Sequence, residues 1–94
     1  MFIKIRTKCN EVIYVNTNDP DFYISTGHYT CQGNFYYFKL FEQWFSYNIF
    51  GQAGEFKTSE QAEKVAETII NSIIDNVKLL DLNAVIENVK NNAC

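Results

Sequence analysis

The chain has 94 residues, of which 47% are hydrophobic and 20% charged, the composition of one soluble globular domain spanning residues 1–94. Its net charge of −3 argues against nucleic-acid binding, which normally needs clustered Lys or Arg to replace the counterions along the phosphates. Lys4, Arg6 and Lys8 interrupt the apolar N-terminus, unlike a signal peptide, and no apolar run reaches the roughly 18 residues of a membrane span. We therefore expect a cytoplasmic protein that makes no contact with membranes.

The N-terminal segment predicts a β-hairpin. Residues 2–8 (FIKIRTK) alternate between apolar and charged side chains, which is the period of a half-buried strand. Residues 11–16 (EVIYVN) are rich in β-branched and aromatic types. Cys9 and Asn10 between these runs suit a two-residue turn, because Asn tolerates the positive φ that hairpin turns require.

A loop and a β-meander are predicted next. The stretch 16–27 begins with clustered Asn, Asp and Pro and therefore indicates a loop. Three β-prone runs follow, at residues 28–32, 35–41 and 44–50. Gly33-Asn34 separates the first two runs and is typical of a type II′ hairpin turn. We expect these runs to form three antiparallel strands.

The C-terminal half predicts two helices. Apolar residues recur at i, i+3, i+4 and i+7 between positions 62 and 77, and Thr58 with Gln61 forms a capping box, so a helix is expected over residues 59–76. Asp81 can cap a second, shorter helix that continues to about Val89.

Together these elements predict an α+β fold. It consists of an antiparallel β-sheet, made by the N-terminal hairpin and the three-stranded meander, with the long amphipathic helix packed on one face and the second short helix after it. One such helix has a single apolar stripe and covers only one face of a sheet. Strand alternation assigns this covered face to Phe38, Leu40, Phe45 and Ile49.

The opposite face of the meander is also rich in aromatic side chains. The residues that we predict to bind a partner there are Phe35, Tyr37, Lys39, Phe41, Trp44 and Ser46. Two interpretations of this face are open. Either the second helix, the 16–27 loop or the first hairpin covers it, or it is an exposed patch of the kind that marks interaction sites.

The segment from Gly54 to Glu67 (GEFKTSEQAEKVAE) carries a local resemblance. Through Gly54, Phe56, Thr58, Glu60 and Ala62 it resembles the strand–turn–helix end of small DNA-binding domains with a three-stranded sheet and a helix, such as the arm-binding domains of phage integrases. The resemblance implies the sheet-then-helix architecture. The strands here carry Tyr, Phe and Glu where those domains have Arg and Lys.

No catalytic residue, cofactor or metal site is predicted. A zinc site needs four convergent ligands, and one His with three scattered Cys lacks that spacing. His28 and Cys31 are an odd number of residues apart, so on a strand they point to opposite faces. The glycine-rich phosphate-binding patterns are absent from the sequence. We therefore do not expect an enzyme.

The leading hypothesis is a non-catalytic protein-interaction module that acts through the aromatic sheet face. The abundant Asn and Ile have AT-rich codons, which suggests a low-GC genome and a bacterial or phage regulator or inhibitor. One alternative is self-association as a homodimer through this face. Another is nucleic-acid binding by base stacking, assisted by Lys39 and the basic residues of the first strand.

Overall fold

The computed structural model describes residues 1–92 and is an α+β fold; Ala93 and Cys94 lie outside the described residues. The strands are β1 (Phe2–Arg6), β2 (Val12–Asn16), β3 (Ile24–Tyr29), β4 (Phe35–Leu40), β5 (Trp44–Phe45) and β6 (Leu79–Asp81). The helices are α1 (Ser46–Phe50), α2 (Ser59–Ile74) and α3 (Leu82–Asn91), with a 3₁₀ turn at Gly51–Gly54. Within residues 1–92 the strands form two three-stranded sheets, and the predicted single antiparallel sheet is therefore wrong in its arrangement.

The first sheet has the order β2-β1-β6. β1 and β2 pair antiparallel as the predicted hairpin, and Asn10 in the connecting turn has a φ of 64°. β6 lies parallel to β1, with Leu80 opposite Ile3. The sequence analysis did not predict β6, because three residues are too few to display a strand period.

The second sheet has the order β3-β4-β5, and two of its strands differ from the predicted ones. The first strand of the predicted meander is β3, which occupies Ile24–Tyr29 and not residues 28–32, so the loop before it is shorter than predicted. The third strand stops after Phe45, and most of the predicted strand 44–50 is the helix α1. In the antiparallel pairing of β4 with β5, Leu40 is opposite Trp44.

The side chain of Ser46 explains why the third strand ends. Its Oγ accepts a hydrogen bond from the backbone N–H of Phe38 at 3.1 Å, where a longer strand would have supplied a carbonyl oxygen. The same hydroxyl donates to the carbonyl oxygen of Gly54 at 2.6 Å. Phe56 then pairs with β4 by exchanging two backbone hydrogen bonds with Tyr36, each 2.8 Å long. One edge of β4 is thus paired in turn with β5, with the hydroxyl of Ser46 and with the backbone of Phe56.

α2 and α3 begin where the sequence predicts. Thr58 accepts a hydrogen bond from the N–H of Gln61 at 3.2 Å, and Asp81 accepts one from the N–H of Ala84 at 3.4 Å. α2 packs on β3 and β4, while α3 packs on β1 and α2. No helix in the part of the chain that the structure describes has the length and apolar character to cross a membrane.

Both sheets contribute to one hydrophobic core. Its buried members are Ile3, Ile5, Val15, Phe38, Leu40, Phe50, Phe56, Ala62, Val65, Ile69, Leu82 and Ile86. Phe38 and Leu40 lie on the α2 side of β4, as strand alternation predicts. Phe45 and Ile49 were predicted on that side too, and β5 places Phe45 on the opposite side, because Phe45 pairs with Lys39.

We expect Ser46→Ala to lower the free energy of unfolding by about 1–3 kcal/mol, because it leaves the buried Phe38 N–H and Gly54 carbonyl without their partner. Urea denaturation followed by circular dichroism measures this loss. Asn48→Ala is the matched control, since Asn48 is exposed on the same helix. Equal stability of the two variants would contradict the bridging role.

Candidate functional site

The six residues predicted to bind a partner lie in three places. Phe35, Tyr37 and Lys39 lie on the face of β4 that is turned away from α2; Phe41 and Trp44 lie at the turn between β4 and β5; and Ser46 is completely buried. Both hydrogen bonds of the Ser46 hydroxyl are made inside the protein, so Ser46 does not contribute to a binding surface. The other five remain candidates.

Five aromatic rings cover the outer face of the second sheet, and we call them the aromatic face: Tyr29, Phe35, Tyr37, Phe45 and Tyr47. Their neighbouring ring centroids lie 4.9 to 5.5 Å apart, at angles from stacked to edge-on. All five side chains are half-buried. Each ring therefore covers its neighbours in part and keeps a portion of its surface in solvent.

Neither α3 nor the first hairpin packs on the aromatic face. α2 occupies the opposite side of the sheet, and α3 lies against β1 and α2. Tyr47 is brought onto the face by α1, and its ring centroid lies 5.4 Å from that of Phe35 and 5.5 Å from that of Tyr37. Tyr47 follows Phe45 by two residues and lies on the same face, with its ring stacked on that of Phe45 at a centroid distance of 5.2 Å.

A groove of about 920 Å³ lies beside the aromatic face, between the 19–23 loop, β2 and the β4–β5 turn. We call it the aromatic groove; its exposed aromatic residues are Tyr14 (59% exposed), Tyr23 (39%) and Trp44 (38%), and its carboxylates are those of Asp19, Asp21 and Glu42. The groove therefore combines apolar rings with negative charge.

Phe41 forms the wall between the groove and the core. Its φ of 60° is in the left-handed region, which is unusual for a residue with a bulky side chain. The Phe41 ring centroid lies 5.5 Å from that of Phe22 and 5.2 Å from that of Trp44. This backbone reversal also explains why Trp44 and Phe45 exchange the faces that simple alternation had assigned to them.

Lys39 connects the aromatic face with the aromatic groove. Its Nζ lies 5.2 Å from the ring centroid of Phe45 and 5.7 Å from that of Tyr23. Interaction with Tyr23 raises the pKa of Lys39 above the usual 10.5, and the side chain carries a positive charge at neutral pH as lysines ordinarily do. Lys39 thus lies between one ring of the aromatic face and one ring of the aromatic groove.

Sequence reasoning missed several residues of this surface. Tyr14 alternates with the more buried Ile13 and Val15, so the strand period alone could have assigned it to the exposed side of β2. Alternation also groups Tyr47 with Phe45, and the one-residue shift at the β4–β5 turn moves both residues to the aromatic face. The sequence also gave no indication that Tyr23 would reach Lys39.

The remaining candidate chemistry is confined to one histidine and the cysteines. The ring of His28 stacks on Tyr36 at a centroid distance of 4.2 Å and hydrogen-bonds with Asn34, while Cys31 is an exposed free thiol. Among residues 1–92 no three His, Cys, Asp or Glu side chains are grouped closely enough to hold a metal ion.

No protein-family model, curated protein or solved structure matches this chain.

We expect Gly27→Ala to displace the ring of Tyr37. Gly27 is directly opposite Tyr37 on β3, and a Cβ built on Gly27 lies 2.6 Å from Cζ of Tyr37. The ring must rotate away from its neighbours, which costs about 1–3 kcal/mol of stability. Thermal unfolding and the NMR shifts of the Tyr37 ring measure the effect, with Ser25→Ala on the same strand as control. Unchanged ring shifts in Gly27→Ala would contradict this packing.

We expect Tyr47 to ionise later than an ordinary tyrosine as the pH rises. Burial raises the pKa of Tyr47 above its usual value of 10.0, and the neighbouring Tyr29 and Tyr37 add to the shift. Because the folded-state pKa is the higher one, the stability from this group is complete below pH 10.0 and is lost as the pH rises through the folded pKa.

Tyrosinate absorbance and unfolding measured across this pH range check the prediction. Tyr47→Phe should remove the last ionisation step, whereas Tyr14→Phe, on the exposed side of β2, should leave it in place. If the last ionisation step persists in Tyr47→Phe, that step belongs to another tyrosine and the prediction is wrong.

Proposed function

We propose that this protein is a non-catalytic protein-interaction module, a cytoplasmic regulator or inhibitor of bacterial or phage origin, that binds another protein through the aromatic face and the aromatic groove. The observation that carries this proposal is the convergence of Tyr14, Tyr23 and Trp44 on one groove, which Lys39 links to the aromatic face through Tyr23 and Phe45. Exposed tyrosine and tryptophan side chains that share one patch are characteristic of binding surfaces.

The aromatic side chains of the proposed surface are held in place by their neighbours, which favours tight binding of a partner. Tyr37 and Phe45 are held at a centroid distance of 5.3 Å, and Phe41 and Trp44 at 5.2 Å. Side chains restrained in this way lose little rotamer entropy when a partner covers them. Aromatic anchors of this kind commonly supply most of the binding energy of an interface.

The charges around the surface indicate the chemistry of the partner. Asp19, Asp21 and Glu42 line the aromatic groove, and the net charge of the protein is −3. A partner with Lys or Arg around an apolar centre would complement this rim and associate faster at low ionic strength. The rim is therefore the feature that we expect to select a basic partner.

Base stacking of single-stranded nucleic acid on the aromatic face is the second candidate function. It is supported by the stacked, half-buried rings of Tyr29 and Phe35 and by the cation of Lys39 over the ring of Phe45. The three groove carboxylates weigh against it, since they repel a phosphate backbone. A homodimer through the same face is a further form of protein interaction.

The test compares alanine variants in affinity capture from cell lysate of the source organism, followed by measured affinities for the captured protein. We expect Trp44→Ala and Tyr23→Ala each to weaken binding by about 2 kcal/mol, roughly thirty-fold in Kd. Both side chains are partly exposed, so the fold should persist, which circular dichroism checks.

Ile74→Ala is the matched control, because Ile74 is a 68% exposed apolar residue on α2, which packs on the other side of the sheet. Equal affinities of Trp44→Ala, Tyr23→Ala and Ile74→Ala would reject the proposed surface. Oligonucleotide titrations at low and high salt test the stacking alternative, and sedimentation of the wild-type protein tests the homodimer.

A further inference from the structure

The hydrogen bonds of β4 reveal which of its backbone groups face its inner edge. Tyr36 exchanges both of its backbone hydrogen bonds with Phe56, so its N–H and C=O point away from β3. The N–H of Phe38 points the same way, towards Ser46. Tyr36 and Phe38 are therefore the non-hydrogen-bonded positions of the β3–β4 ladder.

The register transfers this alternation to β3. His28 is opposite Tyr36, and Thr26 is opposite Phe38. In an antiparallel ladder the residues of such pairs direct their backbone groups outwards on both strands. Ile24, Thr26 and His28 therefore present their N–H and C=O groups at the outer edge of β3.

This outer edge is open. In the sheet order β3-β4-β5, β3 pairs only with β4, and within residues 1–92 no further strand lies beyond it. The sequence of β3, ISTGHY, contains no Lys, Asp, Glu or Pro, the residues that usually protect an edge strand from pairing. The strand is six residues long, enough to align an extended segment.

A groove of about 390 Å³ accompanies this edge, between β3 and α2. Ile24, Ala66 and Ile70 give it an apolar floor, and Ile70 is 40% exposed. A strand added to β3 would direct every second side chain towards α2 and hence into this groove. The backbone edge and the groove are thus placed to bind the same segment.

The charges of the groove distinguish between possible partners. Glu63 and Glu67 of α2 lie one helical turn apart along it, and it is lined by no Lys or Arg. A second copy of this chain, paired through β3, would bring its own Glu63 and Glu67 towards these carboxylates and be repelled. A segment with Lys or Arg would instead be attracted.

We propose that the outer edge of β3 and the groove beside α2 form a β-strand addition site for an extended, basic segment of another protein. The segment pairs with the backbone of Ile24, Thr26 and His28, places an apolar side chain over Ile70, and directs Lys or Arg towards Glu63 and Glu67. This site stands on backbone geometry and is independent of the aromatic groove.

The experiment selects binders from a random peptide library displayed on phage, with the 94-residue chain as bait. We expect the selected peptides to share an apolar residue with Lys or Arg two positions away, on the same face of a strand. Their binding should weaken about tenfold or more in Glu63→Gln/Glu67→Gln and should decrease with rising salt.

Thr26→Pro and Thr26→Val form the matched pair that tests backbone pairing. Proline removes the outward N–H of residue 26 and leaves the hydrogen bonds between β3 and β4 in place, whereas valine keeps the N–H. The selected peptides should bind Thr26→Val as they bind the wild type and should lose binding to Thr26→Pro.

Amide hydrogen exchange of the wild-type protein provides a readout that does not depend on the folding of Thr26→Pro. Addition of a selected peptide should slow the exchange of the Ile24, Thr26 and His28 amides. Failure to select any peptide, undiminished binding to a folded Thr26→Pro, or unaltered exchange at these amides would overturn the proposal. The proposal would also be overturned if the wild-type protein formed a dimer and Thr26→Pro were a monomer, because the edge of β3 would then pair with a second copy of this chain. Peptides that depend on Trp44 and not on Thr26 would support the aromatic groove alone.

Discussion

The hydroxyl of Ser46 joins three segments that are separate in the sequence. It accepts the hydrogen bond of the Phe38 N–H on β4 and donates to the carbonyl of Gly54, so that α1 and the 3₁₀ turn are held against the sheet. Gly54 is the residue that allows this approach, since a Cβ there would lie 2.9 Å from the backbone nitrogen of Tyr47 as well as against Ser46. This buried hydroxyl takes the place of a strand carbonyl where β5 ends and holds the 3₁₀ turn beside β4.

Both proposed binding surfaces involve the second sheet. β5 stops at Phe45, the chain turns into α1, and Tyr47 packs on Phe45 in the aromatic face. Because the chain returns at Phe56, Tyr36 forms its backbone hydrogen bonds on that side. Tyr36 is therefore a non-hydrogen-bonded position of the β3–β4 ladder, and its partner His28 directs its own backbone groups to the free edge of β3.

The two surfaces would recognise different properties of a partner. The aromatic groove offers side chains, with Trp44 and Tyr23 as anchors, whereas the edge of β3 offers backbone groups that any extended sequence can match. Carboxylates line both sites, among them Glu42 in the aromatic groove and Glu67 in the groove beside β3. A preference for basic partners is therefore a property that the two proposed sites share.

The sequence by itself determined the α+β class, the first hairpin, and the caps of α2 and α3 at Thr58 and Asp81. These features depend on residues within a few positions of one another, so a period or a capping pair is sufficient to predict them. Of the predicted partner-binding residues, alternation along β4 correctly grouped Phe35, Tyr37 and Lys39 on one face.

Only the tertiary structure decided the positions of β6, Ser46 and Phe45. β6 pairs with a strand at the other end of the chain, and the hydroxyl of Ser46 replaces a strand carbonyl, neither of which leaves a local pattern. Phe41 has a left-handed backbone, and the turn there displaces the pairing register of β5 against β4 by one residue from the predicted one. A displacement of one residue moves every side chain of a strand to the opposite face. Contacts between distant residues and a single change of register are the reasons that the sequence could not locate these side chains.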